Sequence, residues 1–409
     1  MRTLVIAGDY PWPEDRGPRM RLAMVLRGLR QCGPVELCSV VSRFRTDFDP
    51  PDQALDLARV TRVGFDNRPP TGVGLLKTLA RPSMPLALPW QDRAAVQKAL
   101  ARSMSGRYDL VWVFGARPWV LSGEHVFAPT ILDLDDLEDQ KIAARLAVPQ
   151  AQAFRRSERL RRTGSRMVAH QEIRRWRRLH RRAASRVSAI VVCSSLDARR
   201  VDLGGTAEVA VVPNGYQAVE HPVGRPRAGT PPTLLFQGLL SYPPNIDAAR
   251  VLADEVGPEL RALVHGAQIR LVGEHSPDLM ALHDPPHVVV VGRVPDITAE
   301  LARADVVAVP IRYGSGTRVK IIEAFAHRIP VVSTSLGAEG LGAVDGVHLL
   351  IGDDPRGMAE GSARLLQDPE LRKEITSEAH ALFAESFCTD AIEERIAALA
   401  REMSGRADP

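Results

Sequence analysis

The sequence predicts an α/β protein made of two doubly wound domains with parallel sheets. Short apolar segments of strand composition alternate with amphipathic helical segments through the first half of the chain. Strands that alternate with helices form parallel sheets covered on both faces. The alternation restarts after residues 218–232, an aperiodic stretch rich in proline and glycine, which reads as a linker. The length of 409 residues, with 45% hydrophobic and 25% charged side chains, suffices for two cores.

In the first half the expected strands are Thr3–Ala7, Val35–Val41, Leu110–Phe114, Thr130–Leu134, Ala189–Cys193 and Val209–Val212. Helical spacing covers Arg19–Gln31, Arg93–Ser103 and much of 150–186. After the linker come strand Thr233–Gln237, helix Asn245–Leu263 and strands Gln268–Val272 and Val288–Val291. Helix Ile297–Ala304 and strand Val306–Val309 precede a helix at 317–327 and strand 330–334. A strand at Val347–Ile351 and helices to about 402 complete the chain. The proline-rich segment 66–92 reads as a surface loop.

No run of 18 apolar residues is present, so no transmembrane helix is expected. Met1–Asp9 becomes charged too soon for a signal peptide and reads as a first strand. Cys32, Cys38, Cys193 and Cys388 lack metal-ligand spacing and are expected as buried free thiols, which suits a cytoplasmic protein. Net charge is only +4, yet residues 155–186 hold 13 arginines and two glutamates. That stretch leaves three readings: a solvated helix face, contact with an anionic membrane or acceptor, or contact with nucleic acid. Met167, Ile173, Trp176 and Leu179 are spaced for one buried face, which favours the first. The aromatic-plus-basic strands of single-strand binders are missing, so nucleic acid is not an expected partner. A membrane contact would place the protein peripherally at the inner membrane face.

Residues 313–341 carry the most chemistry. An apolar strand at 305–310 runs into Gly314, Ser315 and Gly316, and a helix is expected from Thr317. A strand, a turn of small residues and a helix N-terminus form an anion site, because the first turn has free N–H groups and a positive dipole end. Arg318 and Lys320 add two cations there. Lys320 and Glu323 share a helix face, and Val319, Ile322 and Phe325 lie on another that can pack on the sheet. Strand 330–334 leads into a second glycine-rich turn with Gly337, Gly340 and Gly342. Two such turns suit a diphosphate, with Glu323 placed to accept hydrogen bonds from a ribose.

The order of these pieces resembles the GT-B glycosyltransferases, and among them the retaining family 4 type, also called group 1. Pro11, Pro13, Gly17 and Arg21 resemble the family's first loop and helix. Ser194–Asp197 and Val212-Pro213-Asn214-Gly215-Tyr216 resemble the end of its N-terminal domain. Phe236-Gln237-Gly238 with Pro244-Asn245 resembles the opening of its C-terminal domain. Gly292-Arg293-Val294, with Asp305 and Pro310, resembles the segment that meets the nucleotide base, and 314–341 the donor-binding core.

The resemblance implies two Rossmann-like domains facing a cleft: an acceptor-binding domain at 1–217, the linker at 218–232, and a nucleotide-sugar-binding domain at 233–385. A C-terminal helix in 386–409 is expected to pack back on the first domain. The implied activity is transfer of a sugar from a nucleotide-diphosphate sugar to an acceptor hydroxyl with retention, without metal or cofactor. Arg318, Lys320 and the N–H groups near Gly316–Thr317 and Gly337–Ala338 would stabilise the departing diphosphate. Gly17 and Gly238 would allow close approach of the donor, Glu323 would hold the ribose, and the backbone at Arg293–Val294 the base. The acceptor is left open: a glycan, a lipid-linked sugar or a small molecule.

The chain departs from the family pattern in four places. Ser315 stands where a glutamate is usual, and no Arg–Lys pair follows the first strand of the second domain. Arg328 takes a helix-terminal position where glycine is common. Asp133-Leu134-Asp135-Asp136 replaces a histidine. That acidic run also looks like the metal motif of GT-A enzymes. It reads better as acceptor binding by Asp135 or Asp136, with a helix N-cap as the plain alternative. Asp284-Pro285-Pro286 between His283 and His287 forbids a helical ligand pair, and no nucleophile elbow or dinucleotide fingerprint is present. A catalytically silent partner subunit and a nucleotide-sugar epimerase are the alternative functions.

Overall fold

The structure is a computed structural model. It describes residues 1–43, 54–66, 80–82, 84–86, 88, 93–104, 106–124, 128–147, 156–205, 207–222, 229–314, 316 and 318–405, with the backbone alone at 156–164. Ser315, Thr317, residues 223–228 of the linker and most of segment 66–92 lie outside these. The chain forms two units, Met1–Asn214 with Ile392–Pro409, and Gly215–Ala391.

The first unit holds β1 (Thr3–Ala7), α1 (Gly17–Arg30), β2 (Val35–Ser42), β3 (Arg59–Phe65), α2 (Arg93–Ser103), β4 (Leu110–Phe114) and α3 (Ala116–Leu121). There follow β5 (Thr130–Leu134), α4 (Glu138–Ala147), α5 (Arg156–Ala184), β6 (Ala189–Val192), α6 (Ser195–Arg200) and β7 (Glu208–Val211). All pairings are parallel, in the order β3-β2-β1-β4-β5-β6-β7. The order reverses between β1 and β4, the switch point where doubly wound sheets leave a crevice at their strand ends.

The central strands β1, β4, β5 and β6 are buried along their whole length. That is why they read as continuous apolar runs rather than alternating ones. Edge strand β3 was not expected from the sequence. Its sequence, Arg-Val-Thr-Arg-Val-Gly-Phe, faces solvent for most of its length and has no apolar run to mark it.

The second unit holds β8 (Thr233–Gln237), α7 (Pro243–Arg250), α8 (Gly257–Leu263), β9 (Gln268–Val272), β10 (Val288–Gly292), α9 (Thr298–Leu301) and β11 (Val306–Val309). After these come α10 (Val319–Ala326), β12 (Val331–Ser333), β13 (Leu350–Ile351), α11 (Pro355–Gln367) and α12 (Pro369–Ser386). Its parallel sheet runs β10-β9-β8-β11-β12-β13 and switches between β8 and β11. The single helix expected at 245–263 is present as α7 and α8, joined by a π turn at Val251–Val256. Arg328 has φ 54°, the left-handed conformation that glycine adopts without strain after a helix.

The last helix, α13 (Thr389–Gly405), contributes Ile392, Ile396, Leu399, Ala400 and Met403 to one apolar cluster with Val5, Leu22, Leu26, Leu29 and Val35 of the first unit. Gly28 on α1 makes that packing close. A Cβ there would lie 2.7 Å from the Glu393 carbonyl and 2.8 Å from the Ile396 Cβ. Gly28→Ala should therefore push α1 and α13 apart and lower stability by about 1–3 kcal/mol, the usual cost of overpacking. Urea unfolding followed by circular dichroism measures this, and an unchanged midpoint would contradict the packing.

Candidate functional site

In the second unit the chemistry gathers at the C-terminal ends of β8 and β11. Lys320, in the first turn of α10, donates from Nζ to Asn245 Oδ1 at 3.1 Å and sits 4.0 Å from the centre of the Phe236 ring. Gly238 follows β8 directly, with φ 143°. A Cβ there would lie 3.2 Å from Lys320 Nζ and 3.3 Å from Asn245 Nδ2, so the glycine clears the ammonium's place. Burial, joined by the charge of Arg318 and opposed by Glu323, lowers the Lys320 ammonium to about 7. Arg318 precedes the helix, and its guanidinium lies close enough to Gly314 that a Cβ there would be 3.1 Å from Nη2. Gly316 has φ 77°.

Among the described residues the helix runs from Val319, and Thr317 lies outside them. Its buried face is Ile321, Ile322, Ala324 and Phe325, and Val319 stays half-buried where full packing was expected. Arg318, with φ −82° and ψ 82°, lies outside the helical region.

Glu323 is one turn further along α10. It accepts from Gln237 Nε2 at 3.1 Å and from the Tyr216 hydroxyl. Burial raises its carboxyl, and the bonds from Gln237 and Tyr216 oppose that shift. Beyond β10, Gly292 has φ 83° and accepts from the Gly273 N–H at 2.8 Å. A Cβ on Gly273 would run into the carbonyl of Gly238, so the backbone after β8 and β9 approaches closely only because residue 273 has no side chain. Arg293 is exposed at this rim, while Val294 packs against the core.

The second glycine turn differs from expectation. The N–H of Gly337 donates to Thr334 Oγ1 at 2.9 Å, and that of Ala338 to the Thr334 carbonyl at 3.0 Å. Both donors assigned to a diphosphate are thus committed within the turn. A Cβ on Gly337 would run into Ser333 Oγ and lie 2.9 Å from the Val309 carbonyl, so this glycine serves close packing of the turn on β11 and β12. Ser335 donates from both N and Oγ to Asp353, at 2.7 Å each. Neither Gln237 nor Asp353 was singled out in the sequence, since nothing in the spacing of residues 86 or 18 positions apart marks a contact.

In the first unit Asp133 ends β5 fully buried and is paired with Arg21 of α1 at 2.8 Å. Arg21 also donates to the Val212 carbonyl at 2.9 Å and Asn214 Oδ1 at 3.0 Å, and Trp112 Nε1 donates to Asp133 at 3.3 Å. Both carboxylate oxygens of Asp133 therefore have donors within the unit, Oδ1 from Arg21 and Oδ2 from Trp112. Asp135 and Asp136 follow at the strand's C-terminal edge, half-buried, with Asp136 paired to Lys141. The helix after them starts at Glu138, so neither occupies its cap position. Burial pushes the Asp135 carboxyl up to about 7, with the charges of Asp133 and Asp136 adding to it against Arg21 and Lys141. Gly17 is the first residue of α1.

The arginine-rich helix α5 buries Ile173, Trp176 and Leu179 as expected, whereas Met167 is 63% exposed. Six arginines of the stretch are held inside the unit. Arg175 donates to the carbonyls of Arg81 and Met84, Arg178 to that of Pro82, and Arg177 pairs with Asp139. Arg181 pairs with Asp202, and Arg182 and Arg186 both with Glu124. Among the described residues no helix is long and apolar enough to cross a membrane.

The two sheets and their order are those of the GT-B fold. Residues 231–368, within the second unit, match the family described as glycosyl transferases group 1. Solved structures agree over nearly the whole chain. Sucrose-phosphate synthase from Thermosynechococcus elongatus is 15% identical with a TM-score of 0.68, covering 99% of this chain and 100% of its own. HepE of Anabaena, in complex with UDP and glucose, is 16% identical with a TM-score of 0.64, covering 98% and 100%. A TarM variant of S. aureus, in a complex that includes UDP, is 12% identical with a TM-score of 0.64, covering 98% and 100%. No curated protein sequence matches the chain.

Asp135 gives a stability test. Its folded value near 7 lies above its ordinary value of 3.8, so the protonated form is favoured by folding and stability is lost as pH rises from about 4 to 7. Asp135→Asn removes that loss. At pH 8 the variant should be more stable than the wild type by about 1–2 kcal/mol, allowing for solvent screening, and near pH 4 equal to it. Thermal unfolding at the two pH values checks this; a variant no more stable at pH 8 would contradict it.

Proposed function

We propose that the protein is a glycosyltransferase that moves a sugar from a nucleotide-diphosphate sugar to an acceptor hydroxyl with retention of configuration. The observation that carries this reading is the placement of Lys320. Its ammonium sits at the switch point of the second sheet, beside Arg318 and the first turn of α10, in space that Gly238 leaves open. Such a site favours an anion, since helix N-terminal N–H groups and fixed cations act on the same charge. HepE and TarM, which share the fold, are complexed with UDP.

Arg318 and Lys320 balance the charge that grows on the diphosphate as the bond to the sugar breaks. Gly316 contributes backbone at the same mouth, Glu323 accepts from the ribose hydroxyls, and Arg293 and Val294 meet the base. Gly17 and Gly238 give the donor close access. The acceptor oxygen forms its bond to the anomeric carbon on the face the diphosphate leaves, and its proton passes to the departing phosphate oxygen. Asp135 and Asp136, at the edge of the first sheet, hold the acceptor. With protein cations on the diphosphate, a metal is unnecessary.

Lys320→Ala should weaken nucleoside diphosphate binding about 10- to 100-fold, the worth of a charge-assisted hydrogen bond, and leave the fold intact. Calorimetric titration with UDP, ADP and GDP tests this. For the wild type, affinity should fall between pH 7 and 9, because an ammonium lowered to about 7 must take up a proton to meet the diphosphate. Unchanged affinity in Lys320→Ala removes Lys320 from the site.

Transfer should also survive excess EDTA, with product of retained anomeric configuration by NMR. Loss of activity on chelation and recovery with Mg²⁺ or Mn²⁺ would make metal part of the mechanism.

A further inference from the structure

Two side chains from distant parts of the second unit meet at Glu323. Gln237, the last residue of β8, donates its amide to Oε2 at 3.1 Å. Tyr216 donates its hydroxyl to the same carboxylate, and burial with the nearby Glu323 charge keeps that phenol protonated. Tyr216 is held on both sides of its backbone. Its N–H donates to the Phe387 carbonyl at 3.0 Å, and its carbonyl accepts from Thr389 N–H at 3.1 Å. His327, at the end of α10, lies edge-on to the Tyr216 ring with centroids 5.9 Å apart. The ring is thus fixed by a strand-like bridge and an aromatic contact before it reaches Glu323. Gln237 is 5% exposed, so its amide is held as firmly.

A carboxylate that must accept from a ligand needs a set orientation. On a helix face a glutamate has several rotamers, and two fixed donors select one of them. The two donors also favour the ionised form, which burial alone disfavours. An ionised carboxylate has acceptor capacity left after two bonds, and a ribose supplies two hydroxyl donors.

We propose that Tyr216 is a positioning residue of this site: its hydroxyl, with the Gln237 amide, holds Glu323 as an oriented acceptor for the hydroxyls of a ribonucleotide. This rests on the nucleotide-sugar reading above. Tyr216 acts through Glu323 rather than on the reacting atoms, so its effect should appear in ribose recognition.

The test is calorimetric titration of the full chain with UDP, ADP and GDP, each beside its 2′,3′-dideoxy counterpart. The wild type should prefer the ribose form of the nucleotide it binds. In Tyr216→Phe, which keeps the ring and its contacts, affinity for the ribose form should fall about 3- to 10-fold, the worth of one hydrogen bond, and affinity for the dideoxy form should not change. Gln237→Met should show the same pattern. Equal losses for both forms would mean that Tyr216 only packs, and an unchanged ribose preference would mean that it does not orient Glu323; either overturns the proposal while the nucleotide reading stands. Failure of the wild type to bind any of the three would overturn that reading and this proposal with it.

Discussion

A lysine ammonium held against a phenyl ring, with an amide oxygen as its acceptor, is the constraint around which the second unit's site is arranged. Removing the ammonium from water disfavours its charge, and Arg318 adds repulsion. The fold accommodates it through local choices. Gly238 leaves out a Cβ at the end of β8, Asn245 at the start of α7 turns an oxygen toward it, and Phe236 offers the face of its ring. Together they give the ammonium room, an acceptor and a ring face beside the end of β8.

The first unit handles its buried charge differently. Arg21 and Asp133 lie at the corresponding switch point, but each is the other's partner, with Val212, Asn214 and Trp112 supplying further bonds. Such a closed pair ties α1, β4, β5 and the end of the unit together, and breaking one member would strand the other. Just beyond it the carboxyl of Asp135 is pushed up to about 7, so the available acidity begins where the structural pair ends. A run of similar aspartates thereby separates into a fully buried structural residue and half-buried ones.

The arginines of α5 show how composition can mislead. Thirteen arginines in residues 155–186 suggest a charged surface. Six of them fasten the helix to Asp139, Glu124, Asp202 and the carbonyls of residues 81, 82 and 84. Arginine suits this work, since its planar fork meets carboxylates and carbonyls with several donors. Their partners are far away in sequence, so charge counting along the helix could not reveal them.

The sequence by itself determined the architecture. Leu110–Phe114 is apolar at every position and Thr233–Gln237 at its three central ones because both faces are covered, and that signal is local. The strand, glycine turn and helix around Lys320 and Glu323 were legible for the same reason, being contiguous. Edge strand β3, half in water, left no such mark. What only the tertiary structure decided is which polar groups remain available. The N–H groups of Gly337 and Ala338 are spent on Thr334, a matter of how one turn folds on two strands. Tyr216, Gln237 and Glu323 meet from positions scattered along the chain. Hydrogen bonds saturate and depend on direction, so a donor's role is fixed by what stands opposite it in space, and a parallel sheet brings together strand ends that the chain keeps far apart.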